Sequence, residues 1–246
     1  MDMTHHKAIL QMRSFMYFYF RIELMQLIKT LIIFSLLLSS EMSISQDWAN
    51  LARFAEENET YLSNPSDNAI VFFGNSITQD WTNLSPDYFS GKPYINRGIG
   101  GQTTPQMLVR FRQDVVQLKP KTVVILAGTN DVAGNTGACT NTSILDNLRS
   151  MTEIALSNNI EVVLCSIHPV FDYPWKPGLN PSQRIIKLNE GIQQICADLN
   201  LKYADYFSAM VDNKNGLKSE YTYDGVHPNR KGYKIMEQVI DKISTR

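Results

Sequence analysis

Ser76 closes the triplet Gly74-Asn75-Ser76, directly behind the apolar run Ala69-Ile70-Val71-Phe72-Phe73 and ahead of Ile77-Thr78. A serine at the end of a short buried strand stands where open α/β sheets take their ligands, outside the carboxyl ends of the strands. Its hydroxyl is a weak nucleophile at neutral pH and needs a base to remove the proton as it attacks. Far along the chain, Tyr223-Asp224-Gly225-Val226-His227-Pro228 offers an imidazole with a carboxylate three residues before it. A turn at that spacing lets Asp224 accept the second ring N–H and hold the useful tautomer. Between these ends lie two glycine-containing polar stretches, Asn96 to Thr103 and Gly128-Thr129-Asn130-Asp131. The chemistry such a set could do is acyl transfer through a covalent serine intermediate. His168, ahead of Pro169, is a second histidine behind an apolar run; it is read as a strand-end side chain shaping the pocket wall, with a catalytic role as its less favoured alternative.

Residues so far apart need a scaffold that gathers them. From Gln46 onward, short apolar runs alternate with longer amphipathic stretches, the pattern of a parallel sheet with helices on both faces. Strands are expected at Ile70–Phe73, Tyr94–Asn96, Thr122–Leu126, Glu161–Ser166 and Lys202–Ala204, the third and fourth apolar and β-branched enough to be central. Helices are expected at Trp48–Leu62, Pro105–Leu118, Ser143–Asn158, Pro181–Leu199 and Arg230–Ser244, from apolar spacings of three and four. The fold class expected is α/β: a three-layer α/β/α sandwich with a five-stranded, mostly parallel, flavodoxin-like sheet. Strands one to three then run into the Ser76, Gly101 and Asn130 segments at one sheet edge, and the Asp224–His227 segment can fold back over it.

Four ordered blocks, Gly74-Asn75-Ser76-Ile77-Thr78, Asn96 to Thr103, Gly128-Thr129-Asn130-Asp131 and Asp224 to His227, make residues 46–246 resemble the SGNH (GDSL-type) serine esterases. The likeness is to the small secreted bacterial branch similar to platelet-activating-factor acetylhydrolase and carbohydrate acetylesterases. The resemblance implies Ser76 as nucleophile, His227 as base and Asp224 as its partner. It also implies an oxyanion hole built from the Ser76 N–H, the Gly101 N–H and the Asn130 side-chain amide. One departure is Asn75, where the family commonly carries aspartate. Both side chains hydrogen-bond nearby backbone, so the turn can survive the exchange. Asp131 is read as structural, capping the loop that follows it. Tyr173 and Trp175, after the fourth strand, are read either as stacking on a sugar face or as packing their loop onto the sheet, and Trp81 as core or rim packing.

Composition narrows the partners. Hydrophobic content of 43% over 246 residues suits one full-sized core. The balance of 23 Lys and Arg against 24 Asp and Glu, with no basic run, leaves no electrostatic footprint for nucleic acid. Residues 1–45 read as an N-terminal extension and secretory signal peptide. The apolar run after Lys29 is shorter than the ~20 residues of a membrane span, and Ser43-Ile44-Ser45 is a small-x-small cleavage site, placing cleavage near Ser45/Gln46. A secreted or periplasmic protein without a stable membrane anchor is the expectation, and no cysteine follows the run to carry lipid. Cys139, Cys165 and Cys196 make no metal-binding pattern. No cofactor or metal is expected. The substrate expected is a small or carbohydrate ester, its acetyl group removed. The alternatives are a lysophospholipase or acyl-thioesterase and, from another class, a weakly active or inactive carbohydrate-binding protein. A nucleotide-binding protein would need a phosphate-binding loop that the chain lacks.

Overall fold

A computed structural model describes residues 3–44 and 47–244. The chain divides into two compact units, Met1–Trp48 and Ala49–Arg246. The first holds a single helix, α1 (Met3–Ile44). Phe15, Phe18, Phe20, Leu31 and Phe34 are exposed along it. No helix among the described residues is long and apolar enough to cross a membrane. The expected Ser45/Gln46 cleavage point lies outside the described residues.

The second unit is built on five parallel strands, β1 (Ile70–Gly74), β2 (Tyr94–Gly98), β3 (Thr122–Leu126), β4 (Glu161–Cys165) and β5 (Lys202–Ala204), in the order β2-β1-β3-β4-β5. The sequence suggested a mostly parallel sheet; every pairing is parallel. Side chains alternate faces along a strand, and both faces here are apolar. Val71, Phe73, Val123, Ile125, Val162 and Leu164 enter one core. They meet α6 (Thr104–Asp114), α8 (Asn141–Ser157) and α9 (Ser182–Leu199) through residues such as Phe111, Leu148 and Ile192. Phe72, Val124, Leu126, Val163 and Cys165 enter the other, against α4 (Trp81–Leu84), α5 (Pro86–Phe89), α10 (Tyr206–Met210) and α11 (Arg230–Ser244). A fully buried side chain of this kind contributes roughly 1.5–3 kcal/mol. Trp81 belongs to that second core, stacked on Tyr88 with ring centroids 5.6 Å apart.

The order of the strands decides where a site can form. The chain goes from β1 outward to β2, then crosses back to lay β3 on the other side of β1, so the connections leave the ends of β1 and β3 in opposite directions. That switch point opens a crevice at the carboxyl ends of β1 and β3. Two short helices follow directly from those strand ends, α3 (Ser76–Gln79) after β1 and α7 (Thr129–Ala133) after β3, while α2 (Ala55–Ser63) precedes β1. The helix expected over Trp48–Leu62 is instead a 3-10 turn, Leu51–Phe54, followed by α2. Asn50, in the left-handed region at φ 57°, sets the start of that turn.

Candidate active site

Ser76 is the first residue of α3, and Asn75 caps that helix with its side-chain oxygen on the Ile77 N–H at 3.1 Å. The amide at 75 therefore makes the turn without burying a charge. Asn75 is fully buried, and its Nδ2 has no partner among the described residues. β2 lies very close to this turn: a Cβ at Gly98 would come within 2.1 Å of the Gln79 main-chain nitrogen, so only glycine fits there. Asn96 reinforces the contact by donating to the Thr78 carbonyl at 2.6 Å.

The Asp224–His227 segment meets the serine from the far end of the chain. Ser76 Oγ is 3.0 Å from His227 Nε2, and His227 Nδ1 is 2.7 Å from Asp224 Oδ2. The other carboxylate oxygen accepts the main-chain N–H groups of Val226 and His227 at 2.9 and 2.7 Å. Burial works to raise the Asp224 pKa, but the His227 backbone N–H and ring and the Val226 N–H outweigh it and hold the carboxyl below its ordinary range. Thr222 closes the turn, donating to the His227 carbonyl at 2.7 Å and accepting from the Gly225 N–H at 2.9 Å.

Gly101 lies in the loop that leaves β2 and Asn130 in α7 beyond β3, the two strands that flank β1. Gly101 sits at φ 76°, and a Cβ there would meet nothing within 4 Å. The backbone conformation, then, is what calls for glycine at 101. Among the described residues no acceptor takes the N–H of Ser76 or of Gly101, whereas the Gly100 N–H is held by Gln79 Oε1 at 2.9 Å. Asn130 is buried in α7 and donates one amide hydrogen to the Gln102 carbonyl at 2.9 Å. The second hydrogen of that NH2 group remains to be given. Asp131 is structural, but it caps a different element from the one expected. Its carboxylate accepts the N–H and hydroxyl of Thr104 at the start of α6.

The structure separates the three sequence-derived binding residues, burying His168 and Tyr173 and exposing Trp175. His168 is fully buried beyond β4, edge-on to Tyr206 at 5.4 Å, so it presents no surface to a ligand. Desolvation, with a smaller push from His227, drives its pKa down to about 3 and keeps it neutral. Tyr173 is likewise fully buried, its hydroxyl bonded to Thr129 at 2.9 Å, and it anchors its loop. Trp175 is exposed, with its ring 5.8 Å from that of His227. Asp172 fixes the loop carrying it by accepting the N–H groups of Tyr173, Gly178 and Leu179. Sequence reasoning missed Tyr223, which is exposed and stacks on His227 at 5.9 Å and 10°. Its signal was available: an aromatic four residues before the histidine, inside the same turn.

Among the described residues no group of three or more His, Cys, Asp or Glu side chains is placed to hold a metal ion. All three cysteines are free. The arrangement can move a proton from Ser76 to an imidazole already paired with a carboxylate, beside unspent N–H donors.

The profile of the GDSL-like Lipase/Acylhydrolase family matches residues 72–235, a stretch that runs from β1 through His227 into α11. The chain belongs to this family of SGNH serine esterases. A GDSL-like lipase from Bacteroides thetaiotaomicron is similar at 42% identity with a TM-score of 0.77, over 80% of this chain and 98% of that one. An acetyl xylan esterase, AlAXEase, shares the fold at 21% identity and a TM-score of 0.60, over 71% and 98% of the two chains. Among curated proteins, an uncharacterized lipoprotein of Bacillus subtilis, YqeF, is 34% identical over 120 residues, 42% of this chain. The match spans about half, 49%, of that relative's length.

Proposed function

We propose that this protein is an exported, metal-independent carboxylic-ester hydrolase that removes a small acyl group, acetyl above all, from a carbohydrate or another small ester. The observation that carries the reading is the continuous chain Asp224 to His227 to Ser76, with contacts of 2.7 and 3.0 Å. Ser76 Oγ attacks the ester carbonyl carbon while His227 Nε2 takes its proton. The oxyanion is met by the N–H groups of Ser76 and Gly101 and the free amide hydrogen of Asn130. The tetrahedral adduct collapses to acyl-Ser76 as His227 returns the proton to the departing alcohol. Water then attacks the acyl group with His227 again as base, releasing the carboxylic acid and restoring the serine.

The carbohydrate preference rests on three supports. Trp175 and Tyr223 are exposed aromatic faces on the rim beside His227, suited to lie against a sugar ring. The likeness in fold to an acetyl xylan esterase points the same way, as does the N-terminal segment read as an export signal. Acetate release from a panel of acetylated polysaccharides and sialosides, run beside lysophospholipids and acyl-CoA, tests it. Acetate release above the other substrates supports the reading; preferential cleavage of lysophospholipid or acyl-CoA replaces it.

A further inference from the structure

Arg110 lies in the middle of α6, wholly buried, and belongs to none of the four blocks. Its guanidinium reaches acceptors from four segments. One terminal nitrogen donates to the main-chain carbonyls of both Gly74 and Arg97, each at 2.9 Å. The other donates to Asp114 at 3.0 Å, and Nε donates to the Gln102 side-chain oxygen. The group lies 4.1 Å from the centre of the Phe73 ring.

Those acceptors are not scattered through the core. Gly74 is two residues before Ser76, and Arg97 is the penultimate residue of β2, where the chain leaves the sheet for the glycine loop. Gln102 follows Gly101, and its carbonyl holds Asn130. One rigid planar cation therefore joins the serine turn to the loop bearing Gly101 and, through Gln102, to Asn130. Lysine could not do this: it is a point charge on a flexible stem without the fixed fork of donors. We propose that Arg110 is a positioning residue that fixes the spacing between the Ser76 turn and the Gly101–Gln102 loop, and hence the geometry of the oxyanion donors. This rests on the reading of Ser76 as the nucleophile.

The role predicts a loss confined to the transition state. A misplacement of about 1 Å can cost on the order of 10²-fold in rate while ground-state binding stays intact. The test compares full-length wild type, Arg110→Lys and Leu148→Ala on p-nitrophenyl acetate, with thermal unfolding followed for each. Leu148 is a core residue of α8 outside the site, so its truncation gives destabilisation alone. For Arg110→Lys, kcat should fall on the order of 10²-fold with KM nearly unchanged. Inhibition by phenylboronic acid, which forms a tetrahedral adduct on serine, should weaken in parallel. Leu148→Ala should lose melting temperature and keep kcat. A folded Arg110→Lys with wild-type kcat overturns the proposal, as does a loss that appears equally in Leu148→Ala. Should Arg110→Lys fail to fold, Gln102→Ala decides: a fall of about tenfold in kcat at constant KM supports the role, and an unchanged kcat refutes it. Turnover by Ser76→Ala would remove the nucleophile reading itself. An inert Ser76→Ala beside a fully active Arg110→Lys would overturn the positioning role alone.

Discussion

The end of β4 and the turn before α11 each bring a histidine to the same edge of the sheet, and the two imidazoles live under opposite conditions. His168 is sealed in, with neither ring nitrogen partnered among the described residues and an aromatic edge against it. His227 keeps 19% of its side chain exposed and has a partner on each nitrogen, Asp224 on one and Ser76 on the other. Burial without partners penalises the charged form and leaves a neutral ring that serves as packing. Partial exposure with a carboxylate behind the ring lets the imidazole accept a proton and return it. Residue type and position near the cleft are shared; partners and solvent separate the two.

The largest effect that follows is the loss of rate in His227→Ala, expected on the order of 10⁴–10⁶ in kcat on p-nitrophenyl acetate. Turnover near the wild-type level would erase the contrast. Asp224→Asn pushes His227 part of the way toward the condition of His168 by removing its anionic partner. A fall of about 10⁴-fold in kcat is expected, and a change confined to KM would show that the carboxylate only shapes the pocket. Trp175→Ala and Tyr223→Ala remove the aromatic neighbours that His227 has and a ligand could touch. Loss of one such contact, ~0.5–1.5 kcal/mol, should raise KM for an acetylated oligosaccharide roughly 2- to 10-fold and leave p-nitrophenyl acetate less affected.

His168→Phe should change kcat least of all and show itself in stability instead. With the folded pKa held at about 3 and the unfolded one near ~6.5, protons bind the unfolded chain preferentially between those values. Stability is then complete above pH ~6.5 and declines as the pH falls toward 3. Melting temperatures measured from pH 7 to pH 4 should drop less steeply for His168→Phe than for wild type. Equal slopes would mean that His168 is not the buried neutral group described.

What could be read in the sequence follows the range of the forces involved. All five strands were legible, the central β1, β3 and β4 because both of their faces are apolar; at the boundaries β1 gained Gly74, β2 gained Arg97 and Gly98, and β4 ends one residue short of Ser166. The long helices α6, α8, α9 and α11 were legible from their apolar spacing of three and four, whereas the helix expected over Trp48–Leu62 is broken by a 3-10 turn. The single-turn helices α3, α4, α5, α7 and α10 were not, because four or five residues cannot display a 3.6-residue repeat. The residues of the hydrogen-bonded chain Asp224, His227 and Ser76 were legible as blocks. The burial of His168 and Tyr173 was not, since it depends on Tyr206 and Thr129 arriving from other segments. Arg110 left a sign that passed unread: with Asp114 it falls on the stripe of Met107 and Phe111, spaced by three and four along α6, where a buried charge pair breaks the apolar pattern.

The central claim, that Ser76 is the nucleophile activated by His227, is tested most directly by covalent labelling. Wild-type protein treated with a p-nitrophenyl phosphonate ester and digested should give one modified peptide, with the phosphonyl group on Ser76 and activity lost in proportion to labelling. Neither labelling nor turnover should occur in Ser76→Ala. An adduct on a different residue, or hydrolysis retained by the Ser76→Ala protein, would contradict the account.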